Sequence, residues 1–341
     1  MESFVRSCRK YDIKPGLYYS CACNGYMQAD NPGYVISKDP EQQKQYVALC
    51  ERQLTELWSR YGEMFEIWFD GGLLPVEQGG PNLKPIYETY QPRAVRFQGS
   101  QISEENNTRW VGNARGLAPF NCRSATDGDS QFDGTKEDSS IGEGNPDGAR
   151  WSPAECDMPN RRNEWFWKAG EDREVLSAEQ LMDCYYQSVG RNCNLLLGMV
   201  VDNRGLVPER DVTELRRFGA MLSRRFQHKT ASTSGKGTQF SLSLAPNTKI
   251  DHIILRENLQ EGHAVRAFSV NILRNGKIIK KLQAKAIGNK RIFRFNVLRA
   301  DEIRLTVTEN KGMPDITEFS CCFANDYSAK EKIKLFFERT K

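Results

Sequence analysis

Between residues 39 and 72 the sequence sets a helix directly before a strand, and that succession limits the folds open to the chain more than any other feature. Asp39-Pro40 is an N-cap followed by proline at the first helical position, where a missing N–H costs nothing. Tyr46, Leu49, Cys50, Gln53, Leu54, Leu57, Trp58 and Tyr61 then fall largely on one face of a helix that Gly62 ends. Met64-Phe65-Glu66-Ile67-Trp68-Phe69-Asp70 follows as an aromatic strand closing on a carboxylate and Gly71-Gly72. Upstream, residues 1–12 predict an amphipathic helix with Phe4, Cys8 and Tyr11 on one face, broken at Pro15-Gly16 before a short strand, Leu17-Tyr18-Tyr19-Ser20. Strand, loop, helix and strand in that order predict βαβ units with right-handed crossovers and a parallel sheet.

Residues 95–98 and 194–197 read as further strands of that sheet, and helices are expected over 178–189 and 211–226. Residues 121–149 are dense in Gly, Asp and Ser and predict a long surface loop. After residue 230 the texture changes. A Thr/Ser/Gly/Lys stretch at 233–237 predicts a linker, and seven short β-branched or alternating runs follow it, two of them joined by the hairpin signal Asn275-Gly276. They predict a β-sandwich over 231–341, with a charged tail from Ala329, behind an α/β part over 1–230.

A length of 341 residues suits two such domains. The 48 basic and 44 acidic residues nearly cancel, which argues against a nucleic-acid partner. No run approaches the ~20 apolar residues of a membrane span, and residues 1–30 lack the apolar core of a signal peptide. Ten cysteines in this length fall short of a disulfide scaffold, and neither Cys21/Cys23 nor Cys321/Cys322 has zinc-ribbon spacing, so buried or free thiols with at most one or two disulfides are expected. The three histidines, His228, His252 and His263, all lie after the α/β part or at its end. Histidine triads and histidine metal sites are therefore not expected there, and carboxylates remain. Asp70 stands out, at the C-terminal end of a strand with Trp68 two residues earlier on the same face. That placement suits the nucleophile of a retaining glycosidase; it equally suits a helix-capping or loop carboxylate.

Four separated motifs add to this reading. Residues 13–20 (IKPGLYYS), 67–71 (IWFDG), 109–113 (RWVGN) and 188–197 (SVGRNCNLLL) closely resemble an α-L-fucosidase of glycoside hydrolase family 29. Residues 151–157 (WSPAECD) with Trp165-Phe166-Trp167 are most similar to the branch acting on α-1,3- and α-1,4-linked fucose of branched glycans. The resemblance spans about residues 1–230, and the part behind it is similar to that branch's C-terminal sandwich. It implies a (β/α) TIM-like barrel and a retaining double displacement in which Asp70 forms a fucosyl ester. Trp68 would face the sugar; one of Tyr18 and Tyr19 would reach the pocket, with Tyr18 favoured; Trp110 and Arg162 would border the site. Fucosylated glycans or glycoproteins are the implied partners, in a lysosomal or secreted setting, with no metal or organic cofactor. Trp165 and Trp167 are expected in the core, Cys156 and Cys193 as structural thiols, and Asn106-Asn107-Thr108 is a glycosylation sequon.

Two departures stand against the family pattern. In this branch RWVGN is followed by the glutamate that serves as general acid and then base, whereas Asn113 here precedes Ala114. Glu104, Glu105 and Glu155 are the nearby carboxylates that would have to replace it. The family also carries two barrel strands and a pair of adjacent histidines before the Tyr-Tyr-Ser strand, so an incomplete barrel is expected. Loss of the acid fits an impaired hydrolase and, equally, a fucose-binding pseudoenzyme.

Overall fold

The computed structural model describes residues 1–127, 142–162, 164–328, 331 and 335. The middle of the loop predicted at 121–149 and most of the charged tail lie outside the described residues. The chain divides into two compact units, one built on Met1–Trp110 and the other on the chain from Ala154 onward, with the connecting segments shared between them.

The first unit opens with helix α1 (Glu2–Lys10), strand β1 (Gly16–Tyr19), helix α2 (Pro40–Arg60) and strand β2 (Glu66–Phe69). Helix α3 (Lys84–Tyr90) leads to β3 (Val95–Phe97) and β4 (Asn107–Trp110). The strands are parallel in the order β1-β2-β3-β4, with Tyr18 opposite Trp68, Trp68 opposite Phe97 and Arg96 opposite Asn107. Asp39 caps α2 by accepting the Glu41 N–H at 3.0 Å, with Pro40 in the first turn. The buried stripe Tyr46, Cys50, Leu54 and Trp58 recurs every four residues and packs into one core with Ile67 and Phe69. Trp58 meets Phe69 and Tyr87 edge-on, each at 6.4 Å between ring centroids. Gly62, at φ 75°, then takes the left-handed turn that ends the helix run.

Helix α3 and strand β4 have no counterpart in the sequence-level outline. Strand β4 hides behind charge, because its Arg109 is buried, as is Arg96 on the neighbouring β3 that the sequence does show. Arg96 lays its guanidinium over the Tyr87 ring at 4.1 Å and donates to the Ser103 and Glu105 carbonyls, while Arg109 donates to the Ser152 carbonyl. A pattern search that scores arginine as surface passes over β4.

The second unit begins with parallel strands β5 (Ala154–Pro159) and β6 (Asn194–Gly198), separated by α4 (Ala178–Gln187), and continues into α5 (Glu209–Phe226). Ser177 and Gln180 form a capping box at α4. Six parallel strands are thus present among the described residues, four in one unit and two in the other, against the eight of a closed (β/α) barrel.

Six antiparallel strands follow: β7 (Ala231–Lys236), β8 (Gln239–Glu257), β9 (Val265–Arg274), β10 (Lys277–Ala284), β11 (Arg291–Asn310) and β12 (Asp315–Cys322), ordered β7-β12-β8-β11-β9-β10. The seven runs resolve differently from the expectation. Two pairs of them fuse into the long strands β8 and β11, which bend at register shifts between Ser243 and Thr248 and between Ile250 and His252. The stretch read as a linker is β7, paired with β12 through a bulge at Thr233/Gly235. The Asn275-Gly276 turn does join β9 to β10, with both residues at positive φ. One face of the sheet packs Ile253, Phe268, Val270, Ile303, Leu305 and Phe319 together; the other sets Ile254 and Ile292 against Tyr186 of α4 and Met221 of α5.

On that second face His252 is fully buried, its Nδ1 2.7 Å from Asp251 Oδ1 and its Nε2 2.6 Å from the Tyr186 hydroxyl and 3.1 Å from that of Tyr327. Burial pushes its pKa below the ordinary histidine value, opposed by Asp251 and aided by Arg225 and Arg294. The folded protein therefore holds His252 neutral while the unfolded chain protonates near pH 6.5, so its contribution is complete above that pH and is lost as pH falls. Thermal melts from pH 7.5 to 5 will show stability falling with acid, at no more than about 1.4 kcal/mol per pH unit from this group. His252→Gln will start less stable but with a flatter slope. In the first unit, Leu54→Ala will cost about 2–5 kcal/mol in urea denaturation, since the side chain is fully buried in the α2 stripe.

Candidate active site

Because β1, β2 and β3 are parallel and in register, residues paired across them share a face. Tyr18, Trp68 and Phe97 form such a row, and their rings stack across all three strands. Tyr18 lies over Trp68 at 5.6 Å and 20°, and Trp68 over Phe97 at 4.1 Å and 3°. Phe97 is buried, Trp68 half-buried and Tyr18 59% exposed, so the row climbs from the core to solvent.

Asp70 stands just past the C-terminal end of β2, exposed at the outer end of this row. The Tyr18 hydroxyl donates to its Oδ2 at 2.7 Å, and Ser20 Oγ donates to its carbonyl at 3.4 Å. Partial burial and then the Asp70 hydrogen bond push the Tyr18 phenol above the usual tyrosine range, which keeps it a donor at any working pH. Tyr19 points the opposite way and donates to Gln53 of α2 at 2.6 Å. Gly71 and Gly72 carry the chain away at φ 75° and 73°; a Cβ on Gly71 would lie 2.8 Å from that of Ala22.

Asp70, Trp68 and Tyr18 are therefore brought together on one sheet edge. Trp110 ends β4, two strands along from β2, and is half-buried. Arg162 belongs to the second unit, exposed, with its backbone N–H on the Glu174 carbonyl. Ala114 lies in the second unit's connecting segment. Of the carboxylates weighed as replacement acids, Glu155 is buried on β5, Glu104 pairs with Arg150, and Glu105 is exposed beside β4. Trp165 is 43% exposed rather than in the core, its ring against Gly198, where the missing side chain leaves room for it. Cys156 and Cys193 are buried with their sulfurs 3.1 Å apart. Phe97 is the residue of the row that motif reading passed over, and counting registers across strands 66–69 and 95–97 would have found it.

The chain as a whole has counterparts among known proteins. The family model for alpha-L-fucosidase matches residues 1–226. Alpha-L-fucosidase 1 of Arabidopsis thaliana is 29% identical over 309 residues, 78% of this chain and 59% of that protein. The chain thus spans about 59% of the length of the curated plant relatives it matches. A solved Bacteroides thetaiotaomicron VPI-5482 structure, provisionally designated an alpha-L-fucosidase, has a TM-score of 0.86 at 32% identity, covering 94% of this chain and 75% of that one. A glycoside hydrolase 29 family member from an unknown rumen bacterium shares the fold at a TM-score of 0.77 and 24% identity, over 96% of this chain and 61% of its own. With all six parallel strands inside the matched region and likeness of fold extending over 94% of the chain, this chain belongs to the alpha-L-fucosidase family.

Proposed function

We propose that this chain is a retaining glycoside hydrolase acting on α-L-fucosylated glycans, with Asp70 as its nucleophile. The observation that carries the reading is the hydrogen bond from Tyr18 to Asp70 Oδ2 above the stacked Tyr18–Trp68–Phe97 row. One carboxylate oxygen is held, and Oδ1 is left to attack the anomeric carbon as the glycosidic C–O bond breaks. The bond's electron pair leaves on the leaving-group oxygen, which takes a proton; water then cleaves the fucosyl ester and restores the carboxylate. Trp68 offers the aromatic face on which an apolar patch of the sugar rests. By resemblance, Trp110 and Arg162 border the site, residues 1–230 form the glycosidase domain, residues 231–341 a β-domain, and α-1,3- and α-1,4-linked fucose is the preferred linkage.

By resemblance, Ala114 stands where the family branch places its general acid and base. Loss of that group costs about 10²–10⁴ in rate, most severely for a poor leaving group such as a sugar alkoxide. This residue also favours the second reading, a fucose-binding protein that no longer turns over.

Incubation with a 2-deoxy-2-fluoro-fucosyl fluoride, followed by intact mass and peptide mapping, will show one fucosyl adduct, on Asp70, because a fluoride leaving group needs little acid assistance. Absence of an adduct sinks the hydrolase reading, and fucose binding by calorimetry would then sustain the other. Ala114→Glu will raise turnover of an unactivated fucoside by about a hundredfold or more. Tyr18→Phe will slow adduct formation by about tenfold, since Asp70 loses the bond that orients it.

A further inference from the structure

In the second unit, one lysine is held between aromatic rings. Lys290 stands just before β11, half-buried, with its Nζ 5.2 Å from the ring centroids of both Tyr185 on α4 and Phe226 at the end of α5. Those two rings pack together at 5.8 Å. The lysine donates to the Tyr185 hydroxyl at 2.7 Å. Glu318 on β12, the carboxylate that faces this cluster, is already engaged: Arg256, its cross-strand partner on β8, donates to Oε2 at 3.0 Å, and Lys229 reaches Oε1 at 3.0 Å. Arg256 also donates to the carbonyl of Asn289, next to Lys290 in sequence, at 3.2 Å. Two cations thus share one carboxylate beside the lysine, and the surplus charge is positive.

These surroundings disfavour an ammonium. The ring faces attract one, as Glu318 does, but the same rings strip its water, and Arg256 and Lys229 repel it. Burial first, then those two charges, push Lys290 down to about 8. About a quarter of its amine is therefore neutral at pH 7.5, against about a thousandth of an ordinary lysine. Tyr185 does not compete for the proton, because burial holds its phenol above the ordinary tyrosine value. The cluster thus combines a nucleophilic amine, an aromatic lining, a hydroxyl beside the amine and unspent positive charge, and the chemistry of Asp70 draws on none of them.

We propose that Lys290 is a covalent site for a small anionic aldehyde, which it takes as an imine. The lone pair of the neutral amine attacks the carbonyl carbon, and the carbonyl oxygen takes a proton to become a hydroxyl. That hydroxyl leaves as water while the nitrogen gives up its protons, so C=N replaces C=O with no oxidant or reductant. The Tyr185 hydroxyl, in contact with Nζ, stands beside the oxygen that is protonated and leaves. Tyr185 and Phe226 cover an aromatic or apolar body, and Arg256 and Lys229 face its anionic group.

Pyridoxal 5′-phosphate, an anionic aromatic aldehyde, is the probe on the full chain, with borohydride reduction and peptide mapping to identify the labelled lysine. At pH 7.5 Lys290 will be labelled about tenfold faster or more than any other lysine, since far more of its amine is neutral. The rate will reach half its maximum near pH 8, and pyridoxal, which lacks the phosphate, will label Lys290 about threefold more slowly or less. Phe226→Leu, which opens one side of the lining, will move the midpoint toward the ordinary lysine value and slow labelling at pH 7.5 by about threefold or more, with a cooperative thermal melt establishing that the variant folds. Label no faster at Lys290 than at exposed lysines, a wild-type midpoint near the ordinary value of about 10.4, or equal labelling by pyridoxal overturns the proposal. Each of these readings is made on the wild-type chain and stands whether or not the variant folds.

Discussion

The chemistry proposed for Asp70 hangs on the register of three short parallel strands. Because Tyr18, Trp68 and Phe97 fall opposite one another, three rings that are distant in sequence become one stack, and the outermost can reach the carboxylate beyond the middle strand. A slip of one residue would turn each ring to the other side of the sheet. On that other side wait Tyr19 and Phe69, which face α2 and its core; the register thus decides at once which aromatics stabilise the unit and which meet a ligand.

The elements most legible in the sequence are those whose signal is local. The Asp39-Pro40 cap, the stripe of α2 and the Asn275-Gly276 turn each declare themselves within a few residues, and the structure holds them where the residues put them. Strand β4 did not, because its Arg109 is buried and donates to the Ser152 carbonyl, 43 residues away, a partner that no short window of sequence contains. The fused strands β8 and β11 were split for another reason: register shifts interrupt the alternation, and pairing resumes beyond them. In the site, Asp70 and Trp68 were visible through the two-residue period of one strand, and Tyr18 through the resemblance. Phe97 needed the pairing of strands 66–69 and 95–97, which is a property of the fold.

The second unit solves a different problem. Its sheet has apolar residues on both faces, and one of them carries a polar centre of Asp251, His252, Tyr186 and Tyr327. Arg225 ties Tyr186 to Glu331 and Asp326, so paired charges help to fasten the described residues after β12, beside the buried Tyr327 and Leu335. Such a centre is costly to leave half-satisfied and specific when complete.

Helix α2 serves both ends of the first unit's machinery. Its buried stripe supports Ile67 and Phe69 beneath the aromatic row, while Gln43, one turn into the helix, ties down the preceding loop at Val35 and Gly33, and Gln53 receives Tyr19. These duties are fixed in angle as well as in place. A single residue inserted midway along α2 would rotate everything beyond it by about 100°, parting Leu54 and Trp58 from the core while Gln43 stayed where it was. Over its length, then, this helix can drift in residue type but hardly in residue number.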